Sequence, residues 1–119
     1  MSQTDNRKEI DNIRRQIQQL KRQNEAVQQN LKKLQKEEEP YLIDLLRVKR
    51  EMDQMAERNK GDKKLIRMLE EQSERVRRAT LVGEENMHRF SQERKRISNH
   101  VENQITEWNK KIRRLEESK

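Results

Sequence analysis

The sequence predicts an all-α fold, an antiparallel coiled-coil hairpin of two helices that pairs with partner helices. Three observations support this: the composition, a seven-residue hydrophobic repeat in each half, and a polar segment with a glycine between the halves. Of the 119 residues, 43% are charged and 29% hydrophobic. So little apolar material fits either a disordered chain or long helices that bury a narrow stripe, and the periodicity favours the helices.

The first half carries a heptad repeat that starts at Ile10. Alternate steps of three and four residues from Ile10 to Asn59 meet mostly apolar side chains, which is typical of a left-handed coiled coil. We label Ile10 position a and Ile13 position d. The sequence therefore predicts a first helix over residues 8–58, preceded by a flexible segment over residues 1–7.

The second half repeats the pattern from Ile66 to Trp108 and predicts a helix over residues 63–116. Near its end, Ile97, Val101, Ile105 and Trp108 are separated by steps of four, four and three residues. Such an eleven-residue step locally relaxes the supercoil.

The segment RNKGDKK, residues 58–64, separates the two repeats. Gly61 can adopt a positive φ at a helix end, and Asp62 can cap the next helix. We therefore predict a turn over residues 59–62 and a single domain. The alternative is a chain that opens at Gly61 into one extended rod within a dimer.

A turn at this place pairs large apolar residues along the two arms and sets small residues of the second arm near Pro40. Glu38 is expected to face Gly83, and Tyr41 to face Thr80. Because proline removes a helical hydrogen bond and glycine is a weak helix former, we expect a shared kink near Pro40 and Gly83. The alternative is a proline that begins a new helix. The predicted seam consists of Ile13, Leu31, Leu34, Leu45, Met52, Leu69, Val76, Met87, Phe90 and Trp108.

Several apolar residues lie outside this seam, and apolar patches of this kind are usually covered by another surface. We expect a partner helix to dock there through residues spaced three and four apart. The partner is either a second copy, which would give a homodimeric four-helix bundle, or a different protein. The alternative is a wider hairpin core at the kink. The predicted partner-binding residues are Leu42, Ile43, Leu46, Leu65, Met68, Leu81 and Val82.

The sequence shows no motif that predicts catalysis, a cofactor or a metal site. His88 and His100 are isolated, there is no cysteine, and no glycine-rich phosphate loop is present, so we expect no enzyme activity. The net charge of +7 arises from 29 basic and 22 acidic residues mixed along the chain. Mixed charge at this density is typical of a solvated coiled-coil surface, and with few aromatic residues we expect no specific nucleic-acid binding.

The N-terminal residues lack an apolar signal segment, and YLIDLL at 41–46 is too short to span a bilayer. The sequence thus predicts a cytoplasmic protein that does not insert into membranes.

The basic, cysteine-free hairpin, with the segment RFSQERKRISNHVENQITEWNKKIRRLEE, resembles the LXG-associated small α-helical proteins of type VII secretion in Gram-positive bacteria. Those proteins bind the long N-terminal helical domain of an LXG toxin and help to deliver it to the export machine. The turn departs from the Trp-Xaa-Gly of related WXG-type proteins, and Trp108 is not followed by an aromatic-x-x-x-acid export signal. The resemblance implies an adaptor or chaperone of the toxin, associated with a secretion apparatus.

The chain also resembles the coiled-coil stalk proteins of flagellar and type III export, which insert a helical hairpin into a hexameric ATPase. A generic coiled-coil scaffold and a nucleic-acid-associated protein are the remaining alternatives.

Overall fold

Two long α-helices pack against each other as an antiparallel hairpin, which confirms the predicted fold class. The computed structural model describes residues 3–118, and it contains helix α1, Gln3–Arg58, and helix α2, Lys63–Glu117. Residues 59–62 connect the helices. The chain divides into two compact units. We call Met1–Leu31 with Gln92–Lys119 the terminal unit, and Lys32–Ser91 the turn unit.

Helix α1 starts earlier than the sequence predicts, because its first turns pack against the end of α2. Asn6 is buried, and its Nδ2 donates hydrogen bonds to the Leu115 carbonyl oxygen at 3.3 Å and to Ser118 Oγ at 3.2 Å. Tertiary packing of this kind stabilises helix ends that the local sequence does not specify. The predicted flexible segment is therefore corrected for residues 3–7, and its first two residues lie outside the described part of the chain.

The terminal unit holds most of the buried core. Ile10, Ile13, Ile17 and Ile112 form one buried cluster, and Ile105, Trp108 and Leu115 pack against it. Ile13 belongs to this cluster and Trp108 packs against it, and the sequence predicts that the two residues face each other. Complete burial of one aliphatic side chain contributes roughly 1.5–3 kcal/mol, so this cluster is the principal hydrophobic stabilisation of the unit.

Helix α1 changes its contact positions within the terminal unit. Leu20, Asn24 and Gln28 are half-buried, whereas Val27, the expected d residue, is exposed. Gln28 Nε2 donates to the Arg94 carbonyl oxygen at 3.0 Å and to Asn24 Oδ1 at 3.3 Å, and Arg94 Nε donates to Gln28 Oε1 at 3.2 Å. Two successive four-residue steps make an eleven-residue step in α1. The contact positions consequently change from a and d to a and e.

The changed register continues through the turn unit and corrects part of the predicted seam. Leu34, expected at a seam d position, is 45% exposed, and Tyr41, expected to face Thr80, is 54% exposed. Half-buried residues instead occupy the a and e positions of α1. They are Gln35, Glu38, Leu42, Leu45, Met52 and Ala56.

Gly83 of α2 is buried against helix α1 in the turn unit. A Cβ atom placed on it would overlap Leu42 Cδ2 and lie 3.1 Å from Leu42 Cγ, with Glu38 Oε1 at 3.5 Å. The predicted proximity of Glu38 and Gly83 is confirmed, but the large side chain that fills the space is Leu42 rather than Tyr41. Helix α1 is continuous through Pro40, so the alternative of a new helix beginning there is wrong.

The turn uses Asp62 as predicted, but not Gly61. Asp62 Oδ1 accepts a hydrogen bond from the Leu65 N–H at 3.1 Å, and the Asp62 carbonyl accepts one from the Ile66 N–H at 2.9 Å, which is the geometry of a helix N-cap. Gly61 does not have a positive φ, and a Cβ there would have no neighbour within 4 Å. The expected left-handed conformation at Gly61 is therefore wrong.

The two glycines should respond in opposite ways to substitution by alanine. Gly61→Ala should raise the free energy of unfolding by about 0.4–1 kcal/mol, because alanine restricts the unfolded chain and meets no neighbour in the fold. Gly83→Ala should lower it: overpacking costs about 1–3 kcal/mol and outweighs the gain in helix propensity of about 1 kcal/mol. Urea unfolding followed by circular dichroism measures both.

A double-mutant cycle isolates the contact at Gly83. In a Leu42→Ala background the overlap is absent, so Gly83→Ala should then be stabilising. A Gly83→Ala protein at least as stable as the parent would contradict the close approach of the two helices.

Candidate partner-binding surface

Exposed apolar side chains concentrate in the turn unit. Among the side chains that the structure describes, every exposed large hydrophobic residue except Val27 belongs to the turn unit. Every buried hydrophobic residue in this set except Leu69 belongs to the terminal unit. The exposed residues in the turn unit are Leu34, Tyr41, Ile43, Leu46, Val48, Met55, Met68, Leu81 and Val82. This concentration distinguishes the turn unit from a surface with singly scattered apolar residues, which needs no explanation.

The structure places the seven predicted partner-binding residues in two classes. Leu42 and Leu65 are half-buried: Leu42 packs at Gly83, and Leu65 lies in the first turn of α2 at the Asp62 cap. Leu42 therefore contributes to the hairpin itself, which corrects its prediction as free surface, whereas the partner contact of Leu65 stays a prediction. The other five are exposed, namely Ile43, Leu46, Met68, Leu81 and Val82.

The predicted seam residues also divide by burial. Ile13 and Leu69 are buried, and Leu34 is exposed. The members that are half-buried are Leu31, Leu45, Met52, Val76, Met87, Phe90 and Trp108.

An open groove runs between the helices on one side of the turn unit. Met52, Ile66 and Leu69 supply its apolar lining. The remaining lining residues are Lys49, Asp53 and Ala56 from α1, with Glu70, Ser73, Glu74 and Arg77 from α2. We call this side of the unit the groove side.

Heptad spacing assigns two exposed leucines to the groove side. Leu46 precedes Asp53 by seven residues, and Leu81 follows Glu74 by seven. Residues seven apart occupy nearly the same face of a helix. Ile43 lies one turn before Leu46, so the three exposed residues extend the apolar surface beyond the groove.

Two of the charged residues at the groove, Glu74 and Arg77, pair with each other within α2. Arg77 Nη2 donates to Glu74 Oε1 at 2.9 Å, and Arg77 Nε donates to Oε2 at 3.1 Å. The hydrogen bond from Arg77 holds the pKa of Glu74 below its usual value, so this carboxylate is ionised at neutral pH. The groove thus combines apolar walls with fixed charges of both signs, which suits an amphipathic helix.

The opposite side of the turn unit carries a second set of exposed apolar residues, which sequence reasoning missed. Residues at d of α1 lie about 60° from a, on the flank away from the e and b positions that line the groove. We call the four exposed d residues of the turn unit the stripe, and the side of the unit that they occupy the stripe side. The stripe consists of Leu34, Tyr41, Val48 and Met55.

Two exposed residues of α2 lie on the stripe side as well. Met68 and Val82 are two heptads apart and occupy the flank of α2 away from Glu70 and Arg77 of the groove. The predicted set is therefore not one surface, because Leu46 and Leu81 lie on the opposite side from Met68 and Val82. The stripe was missed because its residues fit the seam of a regular heptad repeat equally well.

No candidate for chemistry emerges among the described residues. His88 and His100 are exposed. Within residues 3–118, His, Cys, Asp and Glu side chains form no group of three that could hold a metal ion. Neither helix, over the same residues, includes an apolar stretch sufficient to cross a bilayer.

Comparison of the chain with protein-family models, with curated proteins and with solved structures finds no match in any of the three. The surface of the turn unit is therefore the feature from which a function can be inferred.

Substitution by alanine should lower the free energy of unfolding more at a buried seam residue than at an exposed residue of the surface. Leu69→Ala should lower the free energy of unfolding by about 2 kcal/mol or more, because Leu69 is 8% exposed and its removal leaves a cavity. Leu46→Ala should change it by less than about 0.5 kcal/mol, since the side chain is largely in solvent. Chemical denaturation measures the difference, and equal losses at the two sites would contradict the proposed surface.

Proposed function

We propose that this protein is a non-enzymatic helical adaptor that binds a helical domain of a partner protein on the groove side of its turn unit. The observation that carries the proposal is the exposure of Ile43, Leu46 and Leu81 beside an open apolar groove. Exposed apolar surface of this kind is stabilised when a partner removes it from water.

The dimensions of the surface fit a helix. Ile43 to Ala56 is a stretch of about 20 Å along α1 at 1.5 Å per residue, which corresponds to about four turns of a partner helix laid alongside. A helix docks in such a groove through apolar residues at i, i+3, i+4 and i+7. Lys49, Asp53 and Arg77 at the groove can then contact the polar flanks of the same helix and set its direction.

We further propose that the partner is the N-terminal helical domain of an LXG toxin, bound for targeting to type VII secretion. The support for this partner is the resemblance of the chain to LXG-associated α-helical proteins. A long helical toxin domain supplies the amphipathic helix that the groove requires, and binding in the cytoplasm before export would keep its apolar face covered.

Co-expression with an LXG toxin domain tests the proposal. The two proteins should co-elute in size-exclusion chromatography, and Leu46→Glu or Leu81→Glu should weaken the complex at least about thirtyfold, the effect of losing a hot-spot contact. Circular dichroism should remain helical because both side chains are exposed. Met55→Glu is the matched control, because Met55 is about as exposed as Leu81 but lies in the stripe. The Met55→Glu variant should therefore still bind the toxin domain.

The experiment tests the binding surface and the identity of the partner separately. A complex that withstands both leucine substitutions would remove the groove side as the binding surface. Failure to bind any LXG toxin domain, together with binding to an export ATPase, would replace the adaptor with the stalk-protein alternative.

A further inference from the structure

We infer that the stripe side of the turn unit binds a second copy of this chain, so that the protein is a homodimer. The starting observation is the stripe itself. Leu34, Tyr41, Val48 and Met55 recur at intervals of seven residues, and each is between 42% and 54% exposed. They span about 30 Å of one face of α1.

The stripe is more apolar than the contact positions that α1 uses within the hairpin. Of the four e positions in the turn unit, two carry the polar residues Gln35 and Lys49 and two carry the apolar residues Leu42 and Ala56. At the neighbouring d positions the side chains are aliphatic, aromatic or methionine. A hairpin that leaves its more apolar face in water gains stability when that face is covered.

The spacing of the stripe specifies what can cover it. Side chains seven residues apart pack as knobs into the holes of a helix with the same repeat, along a left-handed supercoil. This chain presents that repeat on the same side, through the stripe of α1 and through Met68 and Val82 of α2. A second copy therefore meets the geometric requirement with the surface it already exposes.

The charges on the stripe side are complementary between the two helices. On α1, Glu37, Asp44 and Glu51 each follow a stripe residue by three positions and are exposed. On α2, Arg75 and Arg89 alternate with Met68 and Val82 at intervals of seven and are also exposed.

A two-fold arrangement sets the acidic helix of each copy against the basic helix of the other. Such an interface is self-complementary, as a symmetric dimer requires. Each helix also carries the opposite charge nearby. Within α1, Arg47 Nη1 lies 3.7 Å from Asp44 Oδ1. On α2, the exposed Glu85 follows Val82 by three positions. The complementarity is therefore partial, and the apolar contacts supply most of the affinity.

Sedimentation velocity and light scattering over a range of concentrations test the inference on the full chain. The expected mass is twice the 14.6 kDa of one chain. The double variant Tyr41→Glu/Val48→Glu should be helical and should raise the dissociation constant of the dimer by more than about thirtyfold. Ile43→Glu is the matched control, because Ile43 is as exposed as Tyr41 but lies on the other flank of α1, and it should remain dimeric.

Charge reversal tests the arrangement of the two copies. Asp44→Arg and Arg75→Asp should each weaken the dimer severalfold, as expected for an exposed charge pair, and the double variant should recover the parental affinity. Failure of this recovery would overturn the pairing of α1 with α2 across the dimer.

Two results would overturn the stripe as a dimer interface. One is a monomer at every concentration measured, and the other is a dimer that is indifferent to Tyr41→Glu/Val48→Glu. The groove-side proposal is tested separately, because binding of the toxin domain should survive substitutions in the stripe and be lost with those on the groove side, such as Leu46→Glu and Leu81→Glu.

Discussion

The change of contact positions along helix α1 is the constraint on which the surface of this protein depends. The change of contact positions occurs where Gln28 donates a hydrogen bond to the Arg94 carbonyl oxygen and accepts one from the Arg94 guanidinium. A half-buried glutamine amide requires partners of this kind, and they hold an e residue in contact with α2 where a regular heptad would place Val27. From that point on, the half-buried residues of α1 occupy a and e positions, whereas the d residues Leu34, Tyr41, Val48 and Met55 are exposed.

Gly83 maintains the same register within the turn unit. Its missing side chain leaves space for Leu42, an e residue, close to the backbone of α2. A Cβ atom at this position would require the Leu42 side chain to shift. The glycine is therefore explained by the packing of one leucine, and no unusual backbone conformation is needed at either glycine of the chain.

Most of the fold could be predicted from the sequence, because it follows from local patterns. The heptad repeat predicts the helices, and Asp62 caps α2 as its side chain suggests. The packing of Trp108 against the cluster that contains Ile13 follows from the position of the turn. The exposure of Leu34 and Tyr41 could not be predicted. Apolar d residues beside polar e residues normally indicate an a/d seam, and the preference for e depends on groups of α2 distant in sequence.

This mismatch between pattern and packing is itself informative about function. Helix α1 presents Val48 and Met55 to solvent while Gln28 and Gln35 occupy contact positions in the hairpin. A chain selected only to form a stable hairpin would place the apolar set inside, since burial of each such side chain contributes roughly 1.5–3 kcal/mol. The hairpin thus gives up stability in its turn unit, and the isoleucine cluster of the terminal unit supplies a separate core. The exposure of these side chains therefore supports the proposals in which they are buried against another helix.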